Sequence, residues 1–270
     1  MMRVSNPLCG WLMATMLIGI GVLGNSFPNS HPVIHPFLIY YGWIPILPQY
    51  FVRLKNRMSG YSTIVLGSGD EWSSSGDLAP TRRLIAEMPH TRFYGYVDIG
   101  VTGHQPDHSL HYGAQALAAW HNLGAQGVLL DCAGPDYGVS PQRLRTLVAF
   151  AHHDHLHVLV NSWNPRAALH ASLEPGDGWL AENWVIAAGQ PVNASLAGEQ
   201  GSALPILRQH HIAIWMTATD RTVPSATWVA HWAHRTAERV HGSYLAVSGP
   251  QYSSRSNHII PARWLRKLSM

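Results

Sequence analysis

Gly127-Val128-Leu129-Leu130-Asp131 is a run of uncharged residues closed by an acid. A strand with one wet face would alternate apolar and polar side chains; this one does not, so it reads as a parallel strand covered on both faces. Seven further runs have the same character. Upstream are Phe37-Leu38-Ile39-Tyr40-Tyr41, Ser62-Thr63-Ile64-Val65-Leu66 and Phe93-Tyr94-Gly95-Tyr96-Val97. Downstream come His157-Val158-Leu159-Val160-Asn161, Trp179-Leu180-Ala181-Glu182, Ile212-Ala213-Ile214-Trp215-Met216 and Ser243-Tyr244-Leu245-Ala246-Val247.

The stretches between them, 78–88, 110–123, 142–152 and 226–240, repeat apolar residues at three- and four-residue steps and read as helices. Ser140-Pro141 supplies an N-cap followed by a proline at the first helical position, and Gly124 closes the preceding helix. No Gly-x-Gly-x-x-Gly turn follows any of the runs, which removes the usual fingerprint of an open, dinucleotide-binding sheet. The expected fold is therefore α/β, a (β/α)8 TIM barrel forming a single domain over 37–270.

Ahead of it the chain runs almost without charge from Pro7 to Gly24 behind Arg3, so 1–25 reads as an export signal or an N-terminal membrane anchor, with 26–36 as a spacer. Both readings put the body outside the cytoplasm, secreted or membrane-anchored. Removing the leader leaves about 240 residues, close to the roughly 250 typical of an eight-fold barrel. The composition, 46% hydrophobic and 12% charged, suits a compact body. Cys9 lies in the leader, so Cys132 has no partner for a disulfide within the mature chain. The formal charge of +3 is scattered and forms no Lys/Arg run, which argues against nucleic acid. The 18 histidines make the protein far more cationic in mild acid. A monomer is expected.

In such a barrel the loops at the carboxyl ends of the strands build the active site. Those ends hold Tyr40-Tyr41-Gly42-Trp43, Gly67-Ser68-Gly69-Asp70-Glu71-Trp72, Asp98, Asp131-Cys132, Asn161-Ser162-Trp163, Glu182-Asn183-Trp184, Thr217 and Ser248-Gly249. Carboxylates and aromatic rings on one rim suit glycosidic cleavage, in which one carboxyl protonates the leaving oxygen and a second acts as nucleophile or base. Asp131 and Glu182 are the candidate pair. Tyr40, Tyr41, Trp43, Glu71, Asp98, Asn161, Trp163 and Trp184 are candidate substrate-binding residues. Asp131 also reads as a cap for the turn at Gly134-Pro135-Asp136, and Glu182 as a buried ion-pair partner. The tryptophans beside Glu182 make it the expected general acid, with Asp131 as the ionised partner.

Tyr40-Tyr41-Gly42-Trp43, Gly95-Tyr96-Val97, Gly127-Val128-Leu129-Leu130-Asp131, Asn161 and Asp177-Gly178-Trp179-Leu180-Ala181-Glu182, in this order across about 40–185, resemble the spherulin-4-like and endo-alpha-1,4-polygalactosaminidase group. The resemblance implies a (β/α)8 barrel acting on galactosamine-containing exopolysaccharide, with its acids after the fourth and sixth strands at Asp131 and Glu182. Cys132 stands where some of these relatives carry a second acid, and Asp98-Ile99-Gly100 replaces a Thr-Gly type of turn.

His152-His153-Asp154-His155-Leu156-His157 has metal-like spacing but links a helix to the fifth strand, at the end of the barrel away from the rim, and reads as surface histidine. No metal and no cofactor are expected. Cys132 lacks a designated base and reads as a small rim residue, not a nucleophile. Asn193-Ala194-Ser195 matches a glycosylation acceptor. The sequence thus leads to an extracytoplasmic glycoside hydrolase cleaving amino-sugar or galactose-containing polysaccharide. Beside it stand a non-catalytic carbohydrate-binding barrel of the cell envelope and a metal-dependent deacetylase, the last disfavoured because no Asp/His ligand set ends the strands.

Overall fold

A computed structural model describes residues 33–102, 108–192, 201–250 and 252–266. The leader, the spacer up to residue 32 and the 193–195 acceptor motif lie outside them.

Eight parallel strands close into a barrel in the order β1-β10-β9-β6-β5-β4-β3-β2. They are β1 (His35–Tyr40), β2 (Thr63–Leu66), β3 (Arg92–Asp98), β4 (Gly127–Asp131), β5 (His157–Val160), β6 (Gly178–Ala181), β9 (Ala213–Thr219) and β10 (Tyr244–Ser248). A two-stranded antiparallel ribbon, β7 (Ile186–Ala187) and β8 (Gln190–Pro191), sits in the long crossover from β6 to β9. All eight apolar runs are strands of the barrel. The first begins two residues earlier than Phe37, at His35, inside the stretch read as spacer.

Helices α1 (Pro48–Met58), α2 (Leu78–Glu87), α3 (Leu110–Leu123), α4 (Pro141–His153), α5 (Arg166–Leu169), α6 (Leu204–Gln209), α7 (Ala226–Val240) and α8 (Ala262–Arg266) follow the strands. The local signals work as their chemistry requires. Ser140 Oγ accepts from the backbone N–H of Arg143 at 3.2 Å, Pro141 opens α4, and Gly124 ends α3 in the left-handed region at φ 91°.

Alternation along each strand sorts its side chains into two cores. Phe37, Ile39, Tyr94, Leu129, Leu159, Leu180 and Trp215 fill the barrel interior, while Leu38, Tyr40, Leu130, Val160 and Trp179 face the surrounding helices. Gly95 marks one of the tightest approaches between layers: a Cβ there would lie 2.0 Å from the ring of Trp120 on α3, whose indole N–H reaches the carbonyl of Tyr96 at 3.2 Å. The inward phase matters for the site. Continuing it past the last filled layer brings Tyr41, Tyr96, Asp131, Asn161, Glu182, Thr217 and Ser248 to the carboxyl-end mouth.

The opposite end is tied off by Asp177. Its buried carboxylate accepts from the N–H groups of Val158 (2.7 Å) and Glu174 (2.8 Å) and pairs with His152 Nε2 at 2.9 Å. His152, His155 and His157 surround a shallow hollow there. Among the described residues no set of three or more His, Cys, Asp or Glu is arranged to hold a metal ion. Also among them, no helix is long and apolar enough to cross a membrane.

Candidate active site

A cavity of about 400 Å³ opens at the carboxyl-end mouth, lined by the last residue of β4 and residues following β4, β5 and β6, with Asp131, Asp136, Asn161, Trp163 and Glu182 in its wall. Asp131 and Glu182 come together through Asn161, whose Nδ2 donates to Oδ1 of Asp131 at 2.6 Å and to Oε2 of Glu182 at 2.7 Å. Since one nitrogen reaches both, the two oxygens stand no more than about 5.3 Å apart.

Each carboxylate has a second donor. The hydroxyl of Tyr96 donates to Oδ2 of Asp131 at 2.5 Å, and the hydroxyl of Tyr252 donates to Oε1 of Glu182. Asn183 Nδ2 donates in turn to the Tyr252 oxygen at 2.9 Å, while its own Oδ1 accepts from Thr219 at 2.8 Å. Tyr41 lies between the two phenols, edge-on to Tyr96 and to Tyr252 at 5.5 and 5.7 Å between ring centroids.

Burial raises the pKa of the Asp131 carboxyl above the ordinary carboxylate range; the nearby charge of Glu182 adds to the shift, while Tyr96, the Cys132 N–H and Asn161 oppose it. The expectation that Asp131 is the ionised member is not what its burial favours. Burial, with Asp131 and Asp98 next, also pushes the Cys132 thiol up, so it stays protonated beside the site.

The other expected residues divide. Tyr41 and Asn161 join the pair. Trp163 lines the cavity and is 46% exposed, a ring accessible to a ligand. Trp184 also lines it but is buried edge-on to Trp179 at 4.8 Å, a wall more than a platform. Asp98 stands opposite Asp131 in the β3–β4 register, its Oδ1 accepting from Gly100 N–H at 2.9 Å. Tyr40 points away from the mouth: one step out of the inward phase, it is buried under the helices and donates to the carbonyl of Trp43 at 3.0 Å. Trp43 is 76% exposed and is not part of the cavity wall. Glu71 is buried in the loop after β2, apart from the cavity; burial pushes it up to about 7, and Asp70 beside it also to about 7, through burial and then through Asp77 and Glu71.

Sequence reasoning passed over Tyr96, Asp136, Asn183 and Tyr252 as site residues. Tyr96 had a usable signal, since it shares the inward phase with Tyr94. Tyr252 had none, because it lies beyond the end of the last strand and meets Glu182 across 70 residues of sequence.

Fold and site together define a (β/α)8 barrel with a hydrogen-bonded carboxylate pair at its carboxyl-end mouth. Among solved structures, the chain is similar to the glycoside hydrolase domain of PelA from Pseudomonas aeruginosa. A variant of that domain matches with TM-score 0.55 and 16% identity, and another structure of the domain with 0.53 and 15%. Each match covers 81% of this chain and 95% of that one. D-allulose 3-epimerase from Methylomonas sp. matches with TM-score 0.53 and 10% identity, over 88% of this chain and 95% of the enzyme. At such identities the likeness is one of fold. No family model matches the sequence, and no curated protein matches it significantly.

Proposed function

We propose that this protein is a glycoside hydrolase that cleaves amino-sugar or galactose-containing polysaccharide outside the cytoplasm, using Asp131 and Glu182 as its working pair. The observation that carries the reading is the Asn161 bridge, which sets two carboxyls side by side in an open cavity. The bound of about 5.3 Å between the two bridged oxygens lies on the side of the roughly 5–5.5 Å carboxyl spacing of retaining glycosidases and short of the roughly 6.5–9.5 Å that leaves room for a water in inverting ones.

On that geometry one carboxylate attacks the anomeric carbon while its neighbour, in its protonated form, protonates the departing glycosidic oxygen. Water then cleaves the glycosyl ester with the proton donor acting as base. Asp136 adds a third acid to the cavity wall, and among the described residues no Lys or Arg lines it. A ligand carrying amino groups suits such a wall, because opposite charges attract most where water is partly excluded. Trp163 offers an apolar ring for a sugar face. The resemblance of the strand-end motifs to the polygalactosaminidase group supports the same substrate class, and a domain named as a glycoside hydrolase, that of PelA, shares the fold. The apolar leader supports the extracytoplasmic setting.

The test is to incubate the purified protein with galactosamine polymers, N-acetylated and free, with and without chelator. New reducing ends and a first-formed product of retained anomeric configuration are expected in both conditions. Binding of the polymer with no cleavage would replace the hydrolase by a carbohydrate-binding barrel.

A further inference from the structure

The carboxylate pair sits in a chain of hydrogen bonds with a tyrosine at each end, running Tyr96, Asp131, Asn161, Glu182, Tyr252. The inner member, Asn161, donates to both acids and so cannot favour one over the other by its presence alone. The outer members differ in how they are held. Tyr96 is carried by β3, whereas Tyr252 follows β10 on a loop with two consecutive non-glycine residues in the left-handed region, Tyr252 at φ 44° and Ser253 at φ 58°.

That conformation is disfavoured for side chains with a Cβ, and it persists only where surrounding contacts fix it. Several contacts fix it in this loop. Ser253 Oγ meets Ser248 Oγ at 3.2 Å in a buried setting. The backbone N–H of Tyr41 donates to the Tyr252 carbonyl at 3.4 Å. Gly42 lets the β1 loop close on the same segment, since a Cβ there would lie 2.4 Å from the Ser254 carbonyl oxygen. The loop therefore aims one phenol at Glu182 and presents that phenol's lone pair to Asn183.

We propose that Tyr252 is a positioning residue for Glu182 as Tyr96 is for Asp131, each phenol orienting and polarising one carboxyl, so that the two members of the pair are tuned separately. The proposal rests on the reading of Asp131 and Glu182 as the working pair. A phenol that donates to a carboxylate stabilises its charged form, and burial keeps both phenols protonated and able to donate. The other titratable groups facing the pair are Tyr41 from the end of β1, Asp98 from β3, and Cys132, Asp136 and Tyr137 after β4. Each of the two outer hydrogen bonds is made to one acid only. Removing either phenol hydroxyl should therefore act mainly on one carboxyl, the other following only through its neighbour's charge.

The experiment follows the side-chain carboxyl signals of the full chain, labelled with ¹³C at Asp and Glu, through a pH titration of the wild type, Tyr252→Phe and Tyr96→Phe. Tyr252→Phe should act chiefly on the Glu182 signal, raising its midpoint by about one to two pH units, with Tyr96→Phe acting chiefly on that of Asp131. In turnover, the two variants should move opposite limbs of the pH profile of kcat/KM, which assigns the acid and the nucleophile. Asn183→Gly, which fits the φ of 54° and removes the amide that donates to Tyr252, should shift Glu182 the same way by less, and serves if Tyr252→Phe does not fold. Titrations of Glu182 that ignore Tyr252→Phe, or that respond equally to both phenylalanine variants, would overturn the proposal. The titration needs no substrate. A protein that shows the shifts and cleaves no glycan keeps the tuned pair and loses the hydrolase, and one that cleaves without the shifts does the reverse.

Discussion

Replacing Asn161 by alanine should weaken the protein by an amount that depends on pH, and the sign follows from the site. Asn161 donates at 2.6 and 2.7 Å to two carboxyls. A hydrogen bond to a charged group contributes about 1.5–3 kcal/mol, and two unit charges about 5 Å apart repel by about 3 kcal/mol at an effective dielectric constant near 20. Loss of both bonds, partly made good by entering water, should cost about 2–4 kcal/mol where the pair is ionised. Where both carboxyls are protonated the lost bonds are between neutral groups and the deficit should be about 1 kcal/mol. Donors to a carboxylate lower its pKa, so the variant's folded state has higher pKa values than the wild type's while the unfolded states match. Its folded state then binds more protons, and the deficit opens as pH rises. Urea denaturation at pH 4 and pH 8 measures it. Equal deficits at the two pH values would refute the claim that Asn161 acts on ionised carboxyls.

Two further outcomes are expected. Asp70, pushed up to about 7 by burial and its acidic neighbours, is protonated in the folded protein at pH 5 and ionised above 7. Its contribution is most favourable below the ordinary aspartate range near 4 and is lost as pH rises through 7. Asp70→Asn should therefore gain on the order of 2 kcal/mol relative to the wild type between pH 5 and 8.5 in the same denaturation assay. Trp163→Ala, which removes the exposed ring on the cavity wall, should raise KM for an oligosaccharide about tenfold with kcat within about twofold, a loss of about 1.4 kcal/mol in binding.

The barrel was legible because its strands are buried on both faces, which writes each one as a short apolar run with a polar end. The candidate pair was legible for the same reason: Asp131 and Glu182 end two of those runs. Phase was the part read least well. Tyr40 and Tyr41 look equivalent as neighbours in sequence, yet a one-residue step along β1 sends Tyr40 under the helices and Tyr41 into the mouth. Trp184 follows Glu182 closely but packs into the outer core against Trp179. Tyr252 and Asn183 act through contacts between different loops, and no local periodicity encodes those. The raised carboxyls Asp131 and Asp70 depend on burial and neighbours that only the folded chain supplies.

Asp131→Asn and Glu182→Gln keep the shape of each side chain and remove its ionisable proton. Measured as oligosaccharide release from a galactosamine polymer, with binding and folding checked alongside, each should lower turnover by a factor of about 10² to 10⁴ or more while the polymer is still bound. Release at the wild-type rate by both variants would contradict the assignment of this carboxylate pair as the catalytic centre.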